Sequence, residues 1–302
     1  AVSIHLAHAQ QVKKVHKIAM LRVDNPSDPR SQGLTEAFRQ GLHDLGYTEG
    51  KDLIIEYRYA EGKLDRLPGL AAEVVSLAPD VIVSQGTPGT LAVKRATSTI
   101  PIVVGGAGDL VGAGLVASLA RPGGNVTGST NIDPELSAKR LELLKKVIPR
   151  MTRVAVLYHG GTGGDPEELR ETQTAARILG IQIQPIQVQD AGKFQQAFSE
   201  TTGEHADALI IFHGSFTMAH RKPLLEIAAK HRLPTMCGEE SWSEDGGLIS
   251  LGYDRLYQWR RAATFVDKIL KGARPADLPV EQPTRYNVVL NMKTARALGL
   301  KL

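Results

Sequence analysis

An internal repeat governs this sequence. Residues 17–59, KIAMLRVDNPSDPRSQGLTEAFRQGLHDLGYTEGKDLIIEYRY, and residues 153–188, RVAVLYHGGTGGDPEELRETQTAARILGIQIQPIQV, follow one order: apolar strand, polar loop, amphipathic helix, glycine, second strand. Lys17 falls opposite Arg153, and Gly46 opposite Gly180. The match continues downstream. PDVIVSQGTPGTLAVKRATSTIPIVV is echoed by ADALIIFHGSFTMAHRKPLLEIAAKHRLPTM, with Pro101 opposite Pro234. A pattern held over whole units marks a repeated supersecondary block.

In the first half the spacing predicts strands at 17–23, 53–59, 80–84, 101–105 and 125–129. Helices are expected at 31–45, 64–78, 88–97 and 111–120. The helix at 31–45 aligns Leu34, Phe38, Leu42 and Leu45 on one stripe. Strands such as DVIVS and IPIVV are short and nearly all apolar, as parallel strands covered on both faces are. The second half predicts strands at 153–158, 182–188, 207–213, 234–237 and 247–251, and helices at 166–179, 192–201 and 217–231. Asp165, Pro166 and Glu168 form a start signal for the helix at 166–179, whose inner stripe is Leu169, Thr172, Ala176 and Leu179. A long helix at 254–271 carries Leu256, Trp259, Ala263, Val266 and Leu270 on one face. One strand and a short helix close the chain.

Alternating strands and helices require right-handed crossovers and a parallel sheet. The expected fold is therefore α/β: two similar doubly wound parallel-sheet lobes with a ligand cleft between them. With 302 residues, the chain has room for roughly two domains. Residues 17–129 with 252–281 are expected to form the first lobe, and 130–251 with 282–302 the second. The chain would cross between them near 129–132, 250–254 and 280–286, making a three-crossing hinge. Residues 1–16 stand apart. Ala7-His8-Ala9 before Gln10 has the small-x-small form of a signal-peptidase site, which points to a secretory signal remnant and a periplasmic address.

Composition removes several function classes. The net charge of +4 arises from scattered residues, and no DNA-binding motif appears, so nucleic acid is not an expected partner. Cys237 is the single cysteine, which excludes an intrachain disulfide and multi-cysteine zinc sites; it reads as a small buried hydrophobe. Nine histidines include no His-x-x-x-His pair, and no carboxylate set has calcium-loop spacing, so neither metal nor cofactor is expected. GGTGGD at 160–165 lacks the Gly-Lys-Ser/Thr ending of a phosphate loop.

Open parallel sheets bind ligands at the carboxyl ends of their strands, where helix N-termini offer free amides. The loops there carry the candidate contacts. In the first half Ser31, Gln32, Gln85 and Thr87 are candidate hydrogen-bonding groups for a carboxylate, with helix capping as the alternative. Asp109 is placed to take an ammonium group or to cap. In the second half Tyr158 or His159 offers a ring wall. His213, Ser215 and Phe216 follow the third strand, and no nucleophile elbow accompanies them. Glu239 and Glu240 suggest an ammonium site or a weak acid–base pair. Trp242 is the candidate aromatic platform, with a core role as the alternative. Asp254 either caps the long helix or reaches the ligand.

Four long segments carry a family resemblance: STIPIVVGGAGDLVGAGLVASLARPGGNVTG, ELSAKRLELLKKVIP, DKILKGARPADLPVEQPT and VVLNMKTARALGL. Through them the chain resembles substrate-binding proteins of bacterial ABC transporters with the type I periplasmic-binding fold, in the branch that includes proposed tryptophan and tyrosine binders. The resemblance covers residues 17–302. Leu110 stands where relatives commonly have proline, and Leu251-Gly252 where they have Tyr-Gly, in loops expected at the cleft. The resemblance implies a monomer that captures an amino acid or related carboxylate by hinge closure and delivers it to a membrane permease. The competing expectation is a two-lobed enzyme acting on a small polar substrate.

Overall fold

The computed structural model describes residues 14–131, 134–160, 165–203 and 206–300. The first half contains β1 (His16–Arg22), α1 (Pro29–Asp44), β2 (Leu53–Tyr59), α2 (Leu67–Ser76), β3 (Val81–Ser84), α3 (Gly86–Ala96), β4 (Ile102–Ala107) and β5 (Val126–Thr130). The second half opens with α4 (Pro134–Val147), β6 (Arg153–Tyr158), α5 (Asp165–Leu179), β7 (Gln182–Gln187), α6 (Phe194–Gly203) and β8 (Ala208–Ile211). It goes on through α7 (Ser215–Ala219), α8 (Arg221–Lys230), β9 (Thr235–Cys237), α9 (Glu240–Glu244) and β10 (Ile249–Tyr253). The chain then forms α10 (Arg255–Leu270), β11 (Tyr286–Leu290) and α11 (Met292–Ala297).

Two sheets result. The first has the order β2-β1-β3-β4-β5, all parallel. The second has the order β11-β10-β9-β8-β6-β7, parallel except where β11 runs antiparallel to β10. Setting β11 aside, both sheets place their strands in the same order counted from their own first strand. The sequence repeat is thus a repeat in space. Gly46 and Gly180 mark its equivalent points. Each follows the helix that comes after the first strand of its sheet, α1 or α5, with a left-handed φ, +89° and +65°, which a side chain would strain.

Each sheet is covered on both faces. Ile82, Val104 and Val74 belong to one core of the first lobe, and Met20, Phe38 and Trp259 to the other. Val156, Leu141 and Met236 form one core of the second lobe, and Leu209, Phe198 and Trp242 the other. Two-sided burial explains why the central strands are apolar at successive positions through their middles, as in Ile18–Leu21, Val81–Val83 and Val154–Leu157, rather than at alternate ones.

The chain crosses between lobes three times, and the crossings are tied together. After β5 it passes to α4, which packs on α5. After β10 it returns through α10, which packs on α1 and β4. It then passes back to the second sheet in β11. Glu281, on the third crossing, bridges Ser129 and exchanges backbone bonds with Gly128 and Thr130 at 2.9 and 3.0 Å. Asp254 N–H donates to the Arg285 carbonyl at 2.9 Å, and Gln258 Nε2 donates to the Thr130 carbonyl at 3.2 Å.

Several local expectations fail for identifiable reasons. Residues 111–120 form turns, not a helix. Asp109 Oδ1 captures the amides of Val111 and Gly112 at 3.0 and 2.7 Å, and Gly114 takes φ +66°; glycine is also costly in a helix interior. The helix expected at 217–231 breaks at His220, whose φ of −112° and ψ of 19° are not helical. Pro223 cannot donate to the carbonyl one turn back, so the two halves cannot run on as one helix. Leu256 is exposed, while Trp259, Ala263 and Val266 behind it are buried as expected. The short helix α9 and the antiparallel direction of β11 have no counterpart in the repeat. The signal remnant at 1–9 lies outside the described residues. No helix among the described residues is long and apolar enough to cross a membrane.

Candidate functional site

The carboxyl ends of both sheets converge on one cavity of about 360 Å³. That is the scale of pockets for small organic molecules. The first lobe contributes Asp24, Ser31, Gln85 and Thr87. The second contributes Ser137, Arg140, Glu168, His213 and Glu239, while Asn131 enters from the first crossing and Tyr253 and Arg255 from the second.

The first wall is organised from behind by Arg22, the last residue of β1, which is fully buried. Its guanidinium lies 4.2 Å from the Trp259 ring centre. It donates to Asp24, to Gln85 Oε1 at 3.1 Å, to Thr35 Oγ1 at 2.9 Å and to Ser31 Oγ at 3.2 Å. Gln85 Oε1 also accepts the Val23 amide at 2.9 Å, while its Nε2 donates to Asp24 Oδ2 at 2.9 Å. One planar cation thus fixes three polar groups that face the cavity. Thr87 sits in the first turn of α3, and its Oγ1 accepts the Gly108 amide at 3.2 Å, leaving its own proton to donate elsewhere.

The second wall holds two buried ion pairs. Arg255 Nη1 donates to Glu239 Oε2 at 2.9 Å, and Ser241 Oγ donates to Glu239 Oε1 at 3.0 Å. Arg140 donates to Glu168 Oε1 and, through Nε, to the Leu251 carbonyl at 2.9 Å. His213 Nδ1 lies 3.6 Å from Glu239 Oε2, and its ring meets Tyr253 edge-on at 6.0 Å. Behind them β9 and β10 approach so closely that a Cβ on Gly252 would lie 1.9 Å from the Gly238 carbonyl oxygen. Only glycine fits there.

The electrostatics follow from burial and these pairs. Burial drives the His213 pKa down to about 4; Arg255 and Arg140 add to the fall and Glu239 opposes it, so the ring is neutral at pH 7. Burial works to raise Glu239, yet Arg255, with the Ser241 hydrogen bond, holds it below the usual carboxylate range. Glu168 is pushed up by burial, with Arg140 opposing and Asp165 reinforcing. Burial also raises the Tyr253 phenol and the Cys237 thiol, so both stay protonated. The hydroxyl of Tyr253 and Oδ1 of Asn131 are buried without a hydrogen-bond partner among the described residues.

The rim is fastened across the lobes. Arg30, in the first turn of α1, donates to Glu244 at 3.1 Å and to Asp245 at 3.4 Å. Arg221, at the start of α8, binds Asp245 and lies 3.9 Å from Asp28.

Of the residues singled out from sequence, Ser31, Gln85, Thr87, His213 and Glu239 line the cavity. The others do not. Gln32 is exposed and donates to the Pro26 carbonyl. Asp109 closes the turn after β4, and Asp254 caps α10 by accepting the Tyr257 amide at 2.9 Å. Tyr158 packs on Phe212, and Phe216 packs against His159, Phe194 and His220. The aromatic platform expected of Trp242 is not formed: the ring is fully buried in the second lobe, its Nε1 donating to Met218 Sδ. Glu240 is exposed and accepts from Asn287, so Glu239 and Glu240 diverge and make no acid–base pair. The side chain of Ser215 lies outside the described part. Leu110 and Leu251 are core residues rather than cleft residues. Reading the sequence missed Arg140, Glu168, Tyr253 and Arg255. Asp24 and Asn131 directly follow strands, so the strand-end rule could have found them.

A family model described as "ABC transporter substrate binding protein" matches residues 23–302. The chain belongs to that family. It is a solute-binding component of the ABC importer type, with the type I periplasmic-binding fold. A "Tyrosine-binding protein" of Clostridioides difficile is 26% identical over 282 residues, covering 92% of this chain and 79% of that one. A solved conserved domain protein from Vibrio cholerae superposes with TM-score 0.88 at 28% identity, covering 96% of both chains. A domain from Streptococcus pneumonia solved with L-Trp gives TM-score 0.88 at 24% identity, covering 95% of this chain and 96% of that one. The family places this protein outside the cytoplasm.

Proposed function

We propose that this protein captures an amino acid or closely related polar solute in the interlobe cavity and delivers it, unaltered, to a membrane permease. The observation that carries this reading is the cavity itself, walled by strand ends of both lobes and spanned by three tied crossings. A solute held by both walls stabilises the closed form by what it contacts only there. The moving bodies are residues 17–129 with 252–281, and 130–251 with 282–302. The contacts are drawn from Ser31, Gln85, Thr87, His213 and Glu239, joined by Asn131 and Tyr253. The protein acts as a monomer in the periplasm after loss of its signal. The names of the tyrosine-binding and L-Trp-bound relatives support an amino-acid ligand. The divergence of Glu239 and Glu240 argues against catalysis.

A thermal-shift screen with tyrosine, tryptophan, the remaining amino acids and sugars tests the reading. A ligand at 100 times its dissociation constant adds about 2.7 kcal/mol, which raises the melting temperature by several degrees. Mass spectrometry of the bound compound should return it unchanged. A chemically altered product would establish an enzyme instead.

A further inference from the structure

The four arginines that line the cavity are all engaged by carboxylates of the protein itself: Arg30, Arg140, Arg221 and Arg255. No lysine lines it among the described residues. The two pairs at the inner wall are the decisive ones. Glu239 and Arg140 have side chains only 8% and 9% exposed. Each guanidinium therefore meets one buried or half-buried acid, and the neutral His213 between them adds no charge. Taking either partner from a buried pair is strongly unfavourable, because the other charge is then left unpaired in a poorly solvated place. A solute with an extra carboxylate would have to compete with Glu239 or Glu168 for its arginine. A solute with an extra ammonium would find those acids already taken, and the other acids of the lining are engaged as well: Asp24 by Arg22, Glu61 by Arg66, Glu167 and Glu171 by Arg170, Asp165 by the Gly160 amide, while Asp28 lies 3.9 Å from Arg221.

We infer that the Arg255–Glu239 and Arg140–Glu168 pairs make the cavity selective for solutes without net charge, and that the two glutamates are what turns anions away. This rests on reading the cavity as the solute site. It narrows the ligand from amino acids and related carboxylates to zwitterions with neutral side chains, or to uncharged polyols. Removing one glutamate's charge while keeping its shape should free an arginine and admit the anion.

The test uses charge-matched probes at pH 8: glutamine against glutamate, asparagine against aspartate, then lysine, tyrosine, tryptophan and myo-inositol. Binding is read by calorimetry to the wild-type protein and to Glu239→Gln. The neutral member of each pair should bind more tightly by at least about tenfold, and Glu239→Gln should shift the glutamate-to-glutamine ratio toward glutamate by about tenfold or more. If Glu239→Gln does not fold, Glu168→Gln, at a more exposed position, serves in its place. Equal or tighter wild-type binding of glutamate, aspartate or lysine overturns the inference. So does an unchanged ratio in the variant. Binding of myo-inositol alone overturns the amino-acid reading while upholding selectivity for neutral solutes. Absence of binding by every probe to both proteins overturns both readings.

Discussion

The two walls of the cleft have the same topology and different chemistry. In the first lobe a single buried cation, Arg22, sits behind the wall and is held by Asp24, Gln85, Ser31, Thr35 and the Trp259 face. In the opposite wall two cations, Arg140 of the second lobe and Arg255 from the second crossing, are each opposed by a glutamate of the second lobe. The equivalent strand ends thus present mainly neutral oxygens and amides on one side, and matched charges on the other. The repeat fixed where the walls stand. The residues at the strand ends then diverged, so the cleft has distinct ends and can orient an asymmetric solute.

Three measurements probe this contrast. The largest effect is expected from Arg22→Met. Its partners lose their common donor and Asp24 loses its cation, so unfolding free energy should fall by about 3–5 kcal/mol and the melting temperature by on the order of ten degrees. Chemical denaturation checks this; a loss under about 1 kcal/mol would mean that the first wall does not depend on its hidden arginine.

The second concerns His213, which faces Glu239, Arg255, Arg140 and Tyr253. Its folded pKa of about 4 lies below the ordinary 6.5. Between those values the unfolded chain binds a proton that the folded one refuses. Stability from this group is therefore complete above pH 6.5 and is lost as pH falls toward 4. His213→Gln should remove that part of the acid sensitivity, by up to about 3 kcal/mol. Between pH 6.5 and pH 4 the melting temperature of the wild type should fall more steeply than that of the variant. Parallel curves would show that the second wall tolerates a charged imidazole.

The smallest effect is at the rim, where the lobes are joined by half-exposed charges. Arg30→Gln should weaken closure by about 1 kcal/mol. Small-angle scattering should then give a larger radius of gyration at low salt, and the difference from wild type should shrink in 1 M salt as screening removes the contribution. A difference that persists in high salt would assign closure to packing rather than to ion pairs.

The elements of the repeat were readable because their signals are local. The apolar run of β3, the stripe of Leu34, Phe38 and Leu42, and the glycines at 46 and 180 each report on neighbours a few residues away. The site was half readable for the same reason. Gln85, Thr87 and His213 follow strand ends and could be placed by rule. Trp242 and Asp254 follow them too, yet one turns into the core and the other caps a helix. Nothing local separates those outcomes.

What the sequence determined by itself is the duplicated α/β order, with apolar strands that must be covered on both faces and helix-ending turns that favour glycine. Tertiary structure alone decided the charge pairing. Arg140 lies in the middle of a helix with an ordinary mixed composition, and its partners, Glu168 and the Leu251 carbonyl, come from distant parts of the chain. Burial turns such a residue from a solvated surface charge into half of an ion pair, and burial depends on which elements meet, a property no short stretch of sequence carries.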